Sequence, residues 1–311
     1  MARVVVIGSS NTDMTVRLPR LPEAGETVLG GAFTTTPGGK GANQAVAARR
    51  AGAEVVFVAA VGDDELGRQA LALFRREGLD VSHVRVVDQT ASGVALIFVG
   101  DDGENMIGVA SGANARIEPE DVDRLPASLF RRGDVLLTGL EIPHRAAVAA
   151  MRRGRDAGMI VILNPAPAPA AASPDVAELL ASADVVTPNR LEASALAGIS
   201  PRPETDWADC ARRLMAKGPR AVVITLGAEG CLTAEGDRFD RIAARRVVAV
   251  DTVGAGDAFN GALAVALAEN RPLAEAAAWA AAASALAVTR PGAQSALPRR
   301  EAIDYLARNP D

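Results

Sequence analysis

At 311 residues and 49% hydrophobic content, the chain can bury a large core, and its length suits one large α/β domain or one domain plus an appendage. A formal net charge of -5, with acidic and basic side chains well mixed, leaves no electrostatic footprint for nucleic acid or an anionic membrane, so small molecules are the expected partners. The only cysteines, Cys210 and Cys231, imply no disulfide framework and fit a reducing compartment.

The N-terminal run Met1 to Gly8 carries a single charge and reads as a first strand rather than a signal peptide. The polar stretch Gly8-Ser-Ser-Asn-Thr-Asp13 reads as a loop after it. Met14 to Leu18 and Glu26 to Leu29 then alternate polar with apolar residues, as half-exposed strands do, which predicts a flap inserted after the first core strand. The flap closes on Thr36-Pro-Gly-Gly-Lys40-Gly-Ala-Asn43-Gln44, and Ala45 to Ala51 reads as a helix. Strand and helix patterns then alternate: Val55 to Val61, Leu66 to Glu77 and Val84 to Val87, a parallel-sheet rhythm. A hairpin over Ser92 to Val99 and Glu104 to Val109 interrupts it and is assigned to the same flap.

The alternation resumes with Asp134 to Thr138, a helix over Ala146 to Ala157, Val161 to Leu163, and a helix over Pro174 to Ala181. Val185-Val186 and Ala221 to Leu226 are further strands, separated by helices near Arg190 to Ala197 and Trp207 to Lys217. The Pro- and Ala-rich segment Asn164 to Ser173 reads as a strand-end loop, because β-like runs continue on both sides of it. The stretch Ala276 to Val288 is apolar, alanine-dominated and too short to span a bilayer, and a cytoplasmic protein is expected. No repeat of 20 to 50 residues is visible.

Near the C-terminus, a β-like run from Val247 to Val250 feeds the turn Asp251-Thr-Val-Gly254-Ala-Gly256-Asp257, which opens onto a helical pattern from Ala258 to Ala268. Amides in the first turn of such a helix lack intrahelical partners, and the glycines let a ligand approach them closely, so an anion site is expected. Asp257 places a carboxylate beside it, which suits a base for phosphoryl transfer better than phosphate storage. Other chemistries lack their parts. Lys40 is followed by Gly41, not Ser or Thr, and position 34 is Thr, so no P-loop is present. The loop after Gly8 lacks the further glycines of a dinucleotide fingerprint, and His83 and His144 stand apart from any metal cluster or nucleophile elbow.

The informative polar clusters nearly all follow a predicted strand: Asn11 to Asp13, Gly38 to Asn43, Glu141, Asn164, Asn189 to Glu192, Thr225 to Gly230 and Asp251 to Asp257. In an open parallel sheet such clusters meet in the crevice beyond the carboxyl ends of the strands. Asn11, Asp13, Lys40, Asn43 and Glu141 offer acceptors, amides and one cation, a set suited to a neutral polyhydroxy compound. Singly, each residue would serve equally as a turn or cap.

The motifs Gly38-Gly-Lys-Gly-Ala-Asn-Gln-Ala45 and Asp251-Thr-Val-Gly-Ala-Gly-Asp-Ala-Phe-Asn-Gly261, with the intervening clusters in order over essentially the whole chain, resemble the ribokinase/PfkB family of carbohydrate kinases. The Gly-Gly-Lys-Gly-Ala-Asn-Gln form resembles the ribokinase branch of that family. The resemblance implies a three-layer α/β fold with a mostly parallel central sheet flanked by helices. It implies a single domain over 1–311 and a small β-sheet lid built from segments of about 14–36 and 92–110, which mediates homodimers and closes over the sugar. The implied reaction is ATP-dependent phosphorylation of D-ribose at its 5-hydroxyl, with a kinase for deoxyribose, another sugar or a nucleoside as the alternative. A non-catalytic sugar-binding regulator would be expected to lose the base or the anion hole, and Asp257, Gly254 and Gly256 are intact.

By the same resemblance Asp257 is the base, and the amides of Gly254, Ala255 and Gly256 form the anion hole. Asn11, Asp13, Gly39, Lys40, Asn43 and Glu141 contact the sugar. Asn189 and Glu192 hold Mg2+ and phosphate oxygens, although the pair also has the spacing of a capping box, and both roles can coexist. Thr225, Gly227 and Gly230 lie along the nucleotide. A monovalent cation, K+, is implied behind the anion hole at Asp251 and Val253 on one loop and Ala287, Arg290 and Gly292 on another. Two positions depart from the family pattern: Ser295 stands one residue before the usual serine ligand, and Ala281 replaces a polar residue near adenine.

Overall fold

The run Val4-Val-Val-Ile7 is completely buried, as a strand covered on both faces requires. In the computed structural model, which describes residues 2–169, 173, 175–202 and 204–309, this run forms β1 (Arg3–Ile7) inside a nine-stranded sheet. The strands that follow are β2 (Asn11–Leu18), β3 (Ala32–Gly38), β4 (Glu54–Gly62), β5 (Asp80–Val87), β6 (Gly93–Gly100) and β7 (Asn105–Ala110). After them come β8 (Val135–Gly139), β9 (Ile160–Asn164), β10 (Val185–Val186), β11 (Ala221–Thr225), β12 (Cys231–Glu235) and β13 (Arg238–Ile242). The large sheet runs β13-β12-β11-β10-β9-β8-β1-β4-β5. It is parallel from β5 to β11, and the β12–β13 hairpin closes one edge antiparallel.

Successive β1 side chains feed two separate cores. Val4 and Val6 pack with the helices Lys40–Arg50, Ala255–Ala268 and Leu273–Ala287, while Val5 and Ile7 pack with His144–Asp156, Asp175–Ala181 and Trp207–Met215. The two-residue period of a strand thus dictates three layers. Strand order reverses at β1, with β4 and β5 to one side and β8 onward to the other, which opens a crevice at the carboxyl ends of β1 and β8.

The second sheet has the order β3-β2-β6-β7, with β2 and β6 parallel and both edges antiparallel. One of its faces leaves Phe33, Leu96 and Met106 more than half exposed, and Ile107 and Val109, equally exposed, lie on the opposite face. No helix among the described residues is long and apolar enough to cross a membrane. Cys210 and Cys231 are free, and burial pushes their thiols up to about 11 and about 12.

Several local expectations are corrected. Asn11 to Asp13 is not a loop but the start of β2, because Asn11 to Leu18 pairs along its length with β3 and β6. Glu26 to Leu29 forms no strand, and the partner of β2 is Ala32–Gly38. The exposed run Val247 to Val250 has no strand partner, so its β propensity goes unused. The helices at 40–50 and 255–268 begin earlier than their apolar patterns do, with glycine at each cap. The β12–β13 hairpin and the helix Arg300–Arg308 were not anticipated, although Gly236-Asp237 marks a two-residue hairpin turn and Ala302, Ile303, Leu306 and Ala307 form an apolar helical stripe. Pro174, where the pattern starts a helix, and residues 170–172 of the Pro- and Ala-rich loop lie outside the described residues.

The helices 40–50 and 255–268 approach closely at Gly261, where a Cβ would sit 2.5 Å from Ala47 Cβ and 2.8 Å from the Gln44 carbonyl. Gly261→Ala is expected to destabilise the fold by about 1–3 kcal/mol through overpacking, read as a lower urea midpoint at unchanged m-value.

Candidate active site

Gly254 caps the helix Ala255–Ala268 at φ 75°, a left-handed conformation that a side chain would strain, and a Cβ there would also come within 3.0 Å of Ala293. At Gly256 a Cβ would meet nothing within 4 Å, so the backbone of this first turn borders open space. Ala255 N–H reaches the Thr252 carbonyl only at 3.3 Å. The turn therefore offers backbone donors to an anion at the positive end of the helix.

Asp257 lies one turn in and is 7% exposed. Asn43 Nδ2 donates to its Oδ2 at 2.9 Å and Gln44 Nε2 to its Oδ1 at 3.1 Å. Burial pushes the carboxyl up to about 6, against the pull of Lys40 and the two amide donors. A carboxylate in this state is ionised at neutral pH yet close enough to its pKa to take a proton readily.

On one side of the Asp257 site, Asn11, Lys40 and Glu141 line a cavity of about 940 Å³. The cavity lies beyond the carboxyl ends of β1 and β8, where the segments that follow them leave the sheet. Ser9 Oγ donates to Glu141 Oε2 at 2.6 Å, and the Lys40 N–H donates to the same oxygen at 3.0 Å, so the carboxylate ties the β1 loop to the N-terminus of helix 40–50. Gly39 starts that helix at φ 86°, and a Cβ there would stand 2.6 Å from the Asn11 nitrogen. Asn114 Nδ2 donates to Asn11 Oδ1 at 2.7 Å and orients it. Burial pushes the Asp13 carboxyl up to about 6, reinforced by Glu141 and Asp257. Burial alone would lower the Lys40 ammonium, but the nearby carboxylates Asp257, Glu141, Glu192 and Asp13 outweigh it and raise it.

On the other side, Thr225, Gly227, Gly230, Ala255, Gly256 and Ala281 border a second cavity of about 500 Å³. Gly230 adopts φ 92°, and a Cβ there would strike the Ile242 carbonyl, so the turn after β11 requires glycine. Ala281 gives that part of the wall an apolar surface. Asn189 bridges to Thr225, and Asn189 with Glu192 forms a complete capping box, Asn189 Oδ1 accepting from Glu192 N at 2.9 Å and Glu192 Oε2 accepting from Asn189 N at 2.8 Å. Burial raises the Glu192 carboxyl, which also feels Lys40 and Asp257. One carboxylate and one amide oxygen beside a phosphate site suit Mg2+, which keeps much of its water and phosphate shell. Among the described residues no group of three or more His, Cys, Asp or Glu side chains is arranged for a metal, so protein ligands alone would not hold it.

Asp251 ties two loops together: Oδ1 accepts from Val253 N at 3.0 Å and Oδ2 from Gly292 N at 2.8 Å. The Ala287 carbonyl accepts from Arg290 N at 3.3 Å, and Ser295 Oγ donates to the Pro291 carbonyl at 2.9 Å, which leaves the hydroxyl lone pairs available. Backbone carbonyls and a single carboxylate are hard, weakly charged donors that fit a monovalent cation better than a transition metal. Arg290 and Ser295 also line a separate cavity of about 400 Å³.

The structure thus gathers Asn11, Asp13, Gly39, Lys40, Asn43 and Glu141 with Asp257 on one side and Thr225, Gly227 and Gly230 on the other, with Asp251 and Gly292 behind. Sequence reasoning missed Ser9, Gln44 and Asn114. Gln44 stood inside a quoted motif, whereas Asn114 reaches Asn11 across 103 positions with no local pattern to reveal it.

The family model described as pfkB family carbohydrate kinase matches residues 1–300. A ribokinase of Haemophilus influenzae is 38% identical, over 97% of this chain and 98% of its own. A deoxyribokinase of Salmonella typhi is 34% identical, over 98% and 99%. The structure of an Arabidopsis thaliana ribokinase complexed with ribose and ATP superposes with a TM-score of 0.89 at 31% identity, covering 99% of each chain.

Because burial holds the Asp13 carboxyl at about 6 in the folded protein, above the ordinary 3.8 of an exposed aspartate, its ionisation costs stability in full above pH 6, and the cost vanishes below about 3.8, where both states are protonated. Asp13→Asn is expected to stabilise the ligand-free protein by about 1–2 kcal/mol at pH 7.5, allowing for partial solvent screening. The gain fades towards pH 4, read by denaturant melts across that range.

Proposed function

The chain belongs to the pfkB family of carbohydrate kinases, and from that premise we propose that it transfers the γ-phosphoryl group of ATP to the 5-hydroxyl of D-ribose, giving D-ribose 5-phosphate and ADP. One observation carries the reading: a buried carboxylate with a raised pKa, Asp257, sits at a helix N-terminus between the cavity that Asn11, Lys40 and Glu141 line and a glycine-lined one.

In this reading ribose enters the end of the cavity lined by Asn11, Lys40 and Glu141, next to Asp13, Gly39, Asn43 and Asp257, so that Asp13 and Glu141 accept from its hydroxyls, Lys40 donates, and Asn11 and Asn43 add amide contacts. Asp257 takes the proton of the 5-hydroxyl as that oxygen bonds to the γ-phosphorus and the bond to the ADP oxygen breaks. The amides of Gly254, Ala255 and Gly256 face the charge on the transferring group, where fixed donors act most strongly. Thr225, Gly227 and Gly230 border the ADP, with Asn189 and Glu192 near its phosphates. Mg2+, when bound there, supplies charge neutralisation between the phosphates. Asp251, Val253, Ala287, Arg290, Gly292 and Ser295 would hold K+, which would supply positive charge behind the anion hole.

The chain acts as a single domain, and its second sheet is the lid that closes on the sugar and excludes water. The apolar side chains Phe33, Leu96 and Met106 on one face of this sheet fit a homodimer formed through it. The buried free thiols suit a cytoplasmic enzyme. The second reading is a deoxyribose kinase, favoured by the similarity to the Salmonella typhi protein.

With ATP, Mg2+ and K+, ribose is expected to drive ADP release in a coupled assay at higher kcat/KM than 2-deoxyribose or nucleosides; a reversed order would shift the substrate. Asp257→Asn should lower kcat by about 10² or more. In the parent enzyme kcat should fall as pH drops through about 6, because a protonated Asp257 cannot accept the hydroxyl proton.

A further inference from the structure

Gln44 is 1% exposed, and its Nε2 stands 3.1 Å from Asp257 Oδ1 and 3.0 Å from Asn164 Oδ1. Asn164 Nδ2 donates to the Thr187 carbonyl at 3.1 Å, Thr187 Oγ1 donates to Asn260 Oδ1 at 2.5 Å, and Asn260 Nδ2 donates to the Gly256 carbonyl at 2.8 Å. The path leaves the side chain of Asp257 and returns to the backbone of the residue before it. Each side chain on the path is buried.

The orientation of every amide is forced. A carboxylate only accepts, so Gln44 must turn its NH2 towards Asp257. The Thr187 carbonyl claims the NH2 of Asn164, leaving the Asn164 oxygen for the second N–H of Gln44. The Gly256 carbonyl claims the NH2 of Asn260, so the oxygen of Asn260 faces Thr187, whose hydroxyl must donate. Flipping any member would set two buried acceptors against each other, and a fully directed network of this kind is stiff.

We propose that Gln44 is a positioning residue for phosphoryl transfer, and that the ring through Asn164, Thr187 and Asn260 locks the Asp257 carboxylate to the Gly256 backbone so that base and anion hole move as one unit. This rests on Asp257 being the base. Asn43 holds the other carboxylate oxygen, so the ring fixes the plane of the group, and a proton acceptor rotated or displaced by about 1 Å loses much of its effect. The Gln44 donor also favours the ionised carboxylate against the effect of burial.

Gln44→Met keeps length and volume but removes both donors. It is expected to lower kcat for ribose about tenfold or more, leave KM within about threefold, and move the acid limb of the kcat profile to higher pH. Thr187→Val, which opens the ring at its far side, should lower kcat in the same way, and Thr187→Ser should restore it. If Gln44→Met fails to fold by circular dichroism, the Thr187 pair decides. Parent-like kcat with an unmoved acid limb in Gln44→Met, a loss confined to KM, or equal kcat for Thr187→Val and Thr187→Ser would overturn the ring. Activity retained by Asp257→Asn would instead overturn the assignment of the base.

Discussion

The molecule is organised around keeping one carboxylate ionised inside a protein. Asp257 is nearly sealed from solvent, and burial alone would hold it protonated. Lys40 and the amides of Asn43 and Gln44 oppose that tendency, and all three come from the start of a single helix, which must therefore dock against helix 255–268. Gly261 permits that docking by admitting the backbone of helix 40–50 at close range.

The same requirement explains why the site lies where the strand order reverses. Beyond the carboxyl ends of β1 and β8, Asn11, Lys40 and Glu141 face one space while the N-terminus of helix 255–268 faces another. Burial chiefly, with neighbouring carboxylates, raises Asp13, Glu192 and Asp257, and Lys40 is the cation that opposes it. Part of the stability available from burial is spent on this polar centre, as expected of a site built for charge movement.

Behind the anion hole, Asp251 binds backbone amides of both neighbouring loops, so the turn leading to Gly254 is braced before any ligand arrives. In front of it, the second sheet stands apart from the large one and keeps an apolar face bare.

The sequence by itself determined the alternation of buried strands and helices, the glycine-marked turns, and many residues of the candidate site, because each is written in short-range pattern: apolar runs for β1, β4 and β8, paired glycines in the turns at 38–39 and 254–256, a capping box at Asn189 and Glu192. It misread Val247 to Val250 and Glu26 to Leu29, where β propensity found no partner strand, and took Asn11 to Asp13 for a loop. Only the tertiary structure decided that Asn11 belongs to the second sheet, that Asn114 orients it, and that Gln44, Asn164, Thr187 and Asn260 close a ring on Asp257. Those facts are hydrogen bonds between residues up to 213 positions apart, and directional bonds at such separation leave no trace in local propensity or periodicity.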